Sequence, residues 1–324
     1  MQPLPKLSVV LPVYNGALYL KSNLDSLFSQ SFSEYEVLIC DDHSTDGSKA
    51  IIQSYVDKHN NIRFWQNSHN KGLFPTLNFL FSQAHATWVR IWSQDDIMLP
   101  QCLETEYAFI SKQLEINPLL GMVYCRVNHI DENDKITYFN RNDNTPMVIK
   151  PKLAAQLFFY HGSLPGNIAN VGIRKDVWAK VGGFDESMRI AGDFDLWERI
   201  SNTYDIGFIN QHLMYLRNHS NQLSRQKNSV VYEFNEADKI FRRLAERLPV
   251  TLQPYAKKYA QGKRHRYFVR VLLSNILRRN YSVSYRLFLF LVKNNMFWSG
   301  VWEFMLAVML RKPEPRPVFD NLDG

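Results

Sequence analysis

Hydrophobic and polar positions change rhythm along the chain, and each rhythm predicts an element. Leu7 to Val13 is an apolar run of the kind buried on both faces of a parallel sheet. Leu20, Leu24, Leu27 and Phe28 then fall at helical spacing. Residues 35–40 form a second strand run, and Ile51, Ile52, Tyr55 and Val56 a second helical stripe. A third strand at 62–65, a helix at 75–84 and a fourth strand at 87–92 follow, and Pro100 is placed to open a helix running to about residue 116. This alternation predicts an α/β fold with a Rossmann-like, doubly wound, mainly parallel sheet.

After Gly121 the pattern is less regular. It predicts strands at 122–130, 136–139 and 169–173, with a turn at Asp131-Glu132-Asn133-Asp134. Helices are expected at 153–160, 175–181 and 193–201, with breaks at 162–166 and at Gly182-Gly183. From residue 230 onward only helical patterns remain. The expected organisation is therefore one α/β domain over residues 1–225 and an all-helical extension over 226–324.

Composition narrows the partners. Hydrophobic residues make up 45% of the 324 and charged residues 21%, enough for a full core. The 14% aromatic content suits base or sugar pockets, or an apolar surface that meets a membrane. Cys40, Cys102 and Cys125 fit no metal spacing or disulfide framework, and read as buried thiols in a reducing compartment. The net charge of +7 is concentrated in residues 257–279, with no nucleic-acid module beside them. A solvated helix face or an anionic membrane surface is the expectation there, and nucleic acid is not. Trp298, Trp302, Met305 and Met309 share one helical face, suited to lipid headgroups, to packing or to a homodimer contact. The first six residues carry no signal-peptide core, and no apolar stretch reaches the roughly 18 residues of a spanning helix. The chain is expected in the cytoplasm, with at most a peripheral hold on the membrane.

Two carboxylate pairs carry the chemistry. Asp41-Asp42 and Asp95-Asp96 each follow a strand run, and open α/β sheets bind ligands beyond the carboxyl ends of their strands. Like charges that close need a cation or hydrogen-bond donors. Ser44, Thr45 and Asp46 are good caps for the helix after Asp42, so part of that cluster serves the fold. Asp42, ahead of Asp41, would accept the imino hydrogen of a uracil or thymine ring. Asp95-Asp96 either caps a helix or binds a hard divalent cation such as Mg²⁺ or Mn²⁺ together with substrate phosphates. Pro12-Val13-Tyr14-Asn15-Gly16 contains neither a dinucleotide fingerprint nor a P-loop. It is an ordinary turn, or a place where Tyr14 offers its face to a base.

Together these segments resemble the family 2 glycosyltransferases, which have the GT-A fold, over about residues 6–220. The resemblance rests on Val9-Val10-Leu11-Pro12-Val13-Tyr14-Asn15-Gly16, on residues 41–48, on Asn70-Lys71-Gly72 with Asn78, and on Gln94-Asp95-Asp96 followed by Pro100. Gly182-Gly183-Phe184-Asp185-Glu186 and Gly192-Asp193-Phe194-Asp195-Leu196-Trp197 complete it. It implies that Tyr14 and Asp42 hold the base, Asp95 the ribose, and Asp96 a metal on the diphosphate. Pro12, Asn15, Asp41, Lys71 and Gly72 join the nucleotide-sugar site, and Asp193 becomes the catalytic base, with Asp195 as the competing candidate. His219 stands where many enzymes of this fold place a histidine near metal and diphosphate; it is either that or a structural histidine. The implied donor is a UDP or dTDP sugar, and the implied acceptor a saccharide or lipid-linked hydroxyl in surface polysaccharide or lipid-linked glycan synthesis. Ser93 stands where the family often has an acidic residue, and Gly192 where it has a glutamate. The Gln-x-x-Arg-Trp signature of processive synthases is missing after Asp193, which implies one inverting transfer per encounter. A nucleotidyltransferase would want a Gly-rich basic loop after the first strand, and a non-catalytic binding subunit would not need Asp95, Asp96 and Asp193 together. Acceptor choice is expected to lie in the loops 140–150 and 161–170.

Overall fold

The computed structural model describes residues 4–139, 145–220, 222, 229–311 and 313–319. Strand β1 (Leu7–Val13) is followed by α1 (Ala17–Phe28), β2 (Tyr35–Asp41), α2 (Ser48–Val56), β3 (Ile62–Gln66), α3 (Leu73–Gln83) and β4 (Trp88–Ile91). A short β5 (Ile97–Met98) precedes α4 (Cys102–Ile116), β6 (Leu120–Ile130), β7 (Ile136–Phe139) and β8 (Val148–Ile149). Then come α5 (Pro151–His161), β9 (Val171–Arg174), α6 (Lys175–Lys180), α7 (Gly192–Ile200) and β10 (Asp205–Arg217). The apolar runs do what their composition dictates: every residue of β2 is buried, and all of β1 except Pro12.

The strands join one sheet in the order β3-β2-β1-β4-β9-β6-β10-β5, with β7 added beside β6 and β8 beside β10. β1 runs parallel to β2 and β4, and β2 parallel to β3. The register sets Val13 level with Asp41, so the chain leaves β1 and β2 at the same sheet edge. β9 lies antiparallel between β4 and β6, while β6 and β10 run parallel. Buried Ser8 of β1 donates to Glu36 at 2.6 Å and accepts from the Ala86 N–H at 3.0 Å. Arg90 of β4 meets Glu106 of α4 at 3.3 Å with both side chains at most 1% exposed. Such a pair is costly to break, since either partner alone would be an uncompensated buried charge.

The sequence reading misses β5, β8 and β10. The first two are only two residues long. β10 spans 13 residues, but its apolar pattern breaks at Asn210 and Gln211, both exposed, where the pairing with β6 slips register. Extra residues in one strand erase the period-two signal and interrupt the ladder only locally.

By Cα packing the chain forms two compact units: Met1–Ala154 with Gly162–Gln222, and Ala155–His161 with Leu223–Gly324. The second unit thus includes most of α5, which the sequence reading assigns to the first domain. The boundary expected at 225/226 lies outside the described residues, as does the 140–144 part of one expected acceptor loop. The second unit continues with α8 (Ser229–Arg247), a 3-10 turn at Val250–Leu252, α9 (Gln253–Tyr259), a π-helical stretch at Ala260–His265, α10 (Arg266–Leu277), α11 (Tyr281–Lys293) and α12 (Phe297–Met309). Its own core is built on Phe234, Phe268, Leu272, Leu287 and Leu291, with the Phe234 and Phe268 rings 4.1 Å apart. Cys40, Cys102 and Cys125 are all free and buried. No helix among the described residues is long and apolar enough to cross a membrane.

Candidate active site

The site starts at the edge where β1 and β2 end. Tyr14, 46% exposed, presents its ring there while its backbone is fixed: Gln94 accepts from the Tyr14 N–H at 2.8 Å and donates to its carbonyl at 3.0 Å. Asn15 takes a left-handed conformation (φ 48°), which asparagine tolerates, and accepts from the Thr45 N–H at 2.8 Å. The caps expected for α2 serve mainly its neighbour. Ser44 accepts from Asn15 N–H, Ser48 from Gly16 N–H and Asp46 from Ala17 N–H, all at 2.9–3.0 Å. Only Asp46 also turns toward its own helix, accepting from the Ser48 N–H at 3.0 Å and from the Ser48 hydroxyl. Burial pushes the Asp46 carboxyl up, but these donors outweigh it and hold it below the ordinary range. The start of α1 is thereby saturated by side chains from the loop after β2.

Asp41 and Asp42 part company. Asp41 is fully buried and accepts from the Ser44 N–H at 3.2–3.3 Å and from Gln66 at 2.9 Å, a bracing role inside the sheet edge. Asp42 accepts from Asn67 at 2.7 Å and from the backbone N–H groups of Lys71 at 2.9 Å and Gly72 at 2.8 Å. Oδ2 receives only the Gly72 donor among these, so it keeps acceptor capacity. Gly72 has φ 94°, which a side chain would strain, and this turn is what aims the two N–H groups at Asp42. The Lys71 side chain is exposed beside them. Pro12, half-buried in β1, contributes its fixed backbone to the strand rather than a donor.

A second cluster forms where β4 and β10 end. His219 Nε2 lies 2.8 Å from Asp95 Oδ2. The Arg217 N–H donates to Asp96 Oδ1 at 2.9 Å, and its guanidinium donates to the carbonyls of Asp95 and Asp131 and to Asp134. Tyr19 of α1 packs against both Arg217 (4.5 Å) and the His219 ring (5.1 Å). Asn23 holds the turn from below, donating to the carbonyls of Ser93 at 2.6 Å and Asp96 at 2.7 Å. Asp96 is only 3% exposed, and burial first, then the charge of Asp95, pushes its carboxyl well above the usual range. A divalent cation would offset both penalties, so the donor set fits one. Among the described residues no three His, Cys, Asp or Glu side chains gather into a cage. A hard cation here would complete its shell with substrate phosphates, as Mg²⁺ commonly does.

Asp193 and Asp195 both lie in the first turn of α7. Asp195, 2% exposed, is paired to Arg199 through Nε at 2.8 Å and Nη2 at 2.7 Å, and Arg199 also donates to the carbonyls of Val181 and Gly183. Asp193 is half-buried and accepts from the Phe194 N–H at 2.7 Å. The start of α3 links this turn to Asp42. Gly72 donates to Asp42, and two residues on, the Phe74 ring lies where a Cβ on Gly192 would come within 2.6 Å. Asn78 of α3 then braces the turn before α7, accepting from the Phe184 N–H and donating to its carbonyl, each at 2.9 Å. Glycine at 192 thus suits the packing of the Phe74 ring against this turn. Sequence reasoning missed Gln94, Asn67, Asn23 and Arg217 as supports, because a bracing amide or guanidinium leaves no spacing to read.

Residues 8–164 match the family described as glycosyl transferase family 2. An uncharacterised glycosyltransferase of Rickettsia typhi is 29% identical over 219 residues, 67% of this chain and 65% of that protein, so the match spans just under two thirds of that relative. S. aureus TarS residues 1–349, solved with UDP-GlcNAc, superposes with a TM-score of 0.59 at 18% identity, covering 98% of this chain and 95% of that one. A mannosyltransferase from Pyrobaculum calidifontis, in complex with GDP-Man and Mn²⁺, gives 0.56 at 16% identity over 96% of this chain and 87% of its own. At these identities the two structures speak for the fold, which is the mixed α/β architecture described above.

Proposed function

We propose that this chain, whose residues 8–164 match the family 2 glycosyltransferases, moves one sugar from a nucleoside-diphosphate sugar to an acceptor hydroxyl with inversion. The observation that carries this reading is the pairing of Asp95 with His219 beside buried Asp96, at the same sheet edge as the Asp42 cradle. Tyr14 offers the base a flat face, and the free capacity on Asp42 Oδ2 suits the imino N–H of uracil or thymine. A UDP or dTDP sugar follows, with Asp95 toward the ribose. The UDP-GlcNAc bound to S. aureus TarS supports the same choice. Asp96 and His219 are the residues that would hold Mg²⁺ or Mn²⁺, which when bound supplies Lewis-acid stabilisation of charge on the departing diphosphate. Mn²⁺ in the Pyrobaculum enzyme supports a divalent ion of this kind.

The remaining chemistry belongs to α7. Asp193 takes the proton of the acceptor hydroxyl as that oxygen bonds to the anomeric carbon and the carbon–diphosphate bond breaks. Asp195 is committed to Arg199 and serves the turn instead. The second unit supports a peripheral hold on an anionic membrane at the cytoplasmic face, which would favour a lipid-linked acceptor. Purified protein should release nucleoside diphosphate from one member of a panel of nucleotide sugars, in the presence of divalent metal and a lipid-linked or saccharide acceptor. Binding of a nucleotide sugar without release across the panel would mark a non-catalytic subunit instead.

A further inference from the structure

The second unit carries a half-open cavity of about 500 Å³, within the range of roughly 300–1,000 Å³ typical of small-molecule sites. Its lining comes from α5, α8, α9, the π-helical stretch, α10 and the connection between α11 and α12, all of that unit. π-Helical turns widen a helix and often accompany functional sites. Here Ala260–His265 forms one, joining α9 to α10 and carrying Arg264 into the cavity wall.

Arg264 is unusually placed. Its guanidinium carbon sits 4.5 Å from the Phe159 ring and 4.0 Å from the Phe241 ring. Those ring centroids are only 6.4 Å apart and meet edge to face, well short of the two distances laid end to end. The rings therefore form a corner around the cation rather than a sandwich, and leave part of its N–H fork uncovered. Among the described residues the guanidinium makes no hydrogen bond or ion pair. Asp238, which shares the wall, pairs with Arg242 at 2.7 Å and its charge also reaches Arg264 without bonding to it. Lys257 and Glu246 complete the charged lining, so the wall keeps a net positive charge. His265 does not add to it, because burial first and Arg264 second pull its imidazole down to about 4.

We propose that this cavity is a second ligand site, which takes a phosphate-bearing small molecule or lipid headgroup on Arg264 and Lys257. A planar guanidinium fork matches phosphate oxygens, and the aromatic corner pre-orders it so that little freedom is lost on binding. An anion would also relieve a cation that burial penalises: the Arg264 guanidinium falls to about 10 and still carries its charge at neutral pH. The apolar part of the wall, from Ala256, Phe268 and Met296, leaves room for a non-polar portion next to the phosphate.

The test uses the full chain and two probes, inorganic phosphate and the soluble lipid dihexanoyl phosphatidic acid. Hydrogen–deuterium exchange reports the site, since peptides over 238–246 and 256–265 are distinct from those over 41–48 and 93–96. Protection of the first pair by phosphate alone identifies a free anion as sufficient; protection by the lipid alone identifies a headgroup with its apolar portion. In either case Arg264→Gln should weaken the effect by about tenfold or more, the loss expected for a charged hydrogen bond. Should Arg264→Gln fail to fold, Lys257→Gln decides, and unchanged binding in it would overturn the site. No protection by either probe, or equal protection in wild type and Arg264→Gln, overturns it as well.

Discussion

Asp195 offers one carboxylate oxygen, Oδ2, to both Nε and Nη2 of Arg199, and the Arg199 guanidinium also donates to the Val181 and Gly183 carbonyls, so the pair closes the turn before α7. Asp193, half-buried in the same turn, accepts from the Phe194 N–H, whereas Asp195 is held by Arg199. The two aspartates should therefore separate cleanly on mutation. Asp193→Asn keeps size and polarity and should lower turnover by roughly 10²–10⁴ with donor affinity nearly unchanged. Asp195→Asn should instead lower the unfolding temperature; a variant at 195 that is stable and inactive would move the base by two residues. NMR of the product should show the inverted linkage. Asp96 makes a different test. Its folded pKa is raised, so the folded state binds the proton more tightly than the unfolded chain, and that group's contribution falls as pH rises from about 4 through the raised value. In EDTA, Asp96→Asn should consequently raise the melting temperature at neutral pH and flatten its pH dependence. Activity in metal should drop by about 100-fold or more, as expected for a lost Lewis-acid ligand. A destabilised variant would show that the carboxylate is compensated in some other way.

Elements were legible in the sequence wherever one period held for their whole length. β1, β2 and the stripe of α1 are read directly, because burial on both faces or one helical face leaves an unbroken signal. β10 is not legible, since its slip at residues 210–212 exposes two polar residues in mid-strand. The candidate site divides along the same line. Aspartates at strand ends announce themselves, whereas Gln94, Asn67 and Arg217 matter only through the positions that folding gives them. The turn into α3 shows how much depends on such placement. Gly72→Ala should cost about 1–3 kcal/mol for the backbone alone, because φ 94° with ψ 170° lies in a region that essentially only glycine adopts. It should also weaken nucleotide-sugar affinity, because the Lys71 and Gly72 N–H groups hold Asp42. Calorimetry showing normal donor affinity in a destabilised Gly72→Ala protein would separate Asp42 from the base.

Across the whole molecule, charge and apolar surface are unevenly spread. Residues 266–311 contain seven Arg or Lys against a single Glu303. Within them Trp298 is 79% exposed and Trp302 59%, next to exposed Met305, Val308 and Met309. Exposed indoles beside basic residues suit the headgroup region of an anionic bilayer. The full-length protein should sediment with vesicles containing phosphatidylserine at low salt, and less well at high salt, where screening is stronger. Replacing both Trp298 and Trp302 by Ala should cut binding by at least about tenfold, since each indole contributes on the order of 1–3 kcal/mol of burial. Sedimentation indifferent to vesicles but changed by protein concentration would point to a second copy of the chain.

The approach of the Phe74 ring to Gly192 carries a consequence for inheritance. A Cβ at 192 would sit 2.6–2.9 Å from three ring carbons, closer than packed atoms allow, so position 192 cannot gain a side chain until the ring at 74 moves or is lost. Divergence toward a bulkier residue before Asp193 must pass through displacement or loss of the ring at 74. Among homologues, glycine at 192 and an aromatic residue at 74 should come and go together, and Gly192→Glu should fold only when Phe74→Ala accompanies it. A stable Gly192→Glu single variant would dissolve that linkage and leave the acceptor side free to evolve one residue at a time.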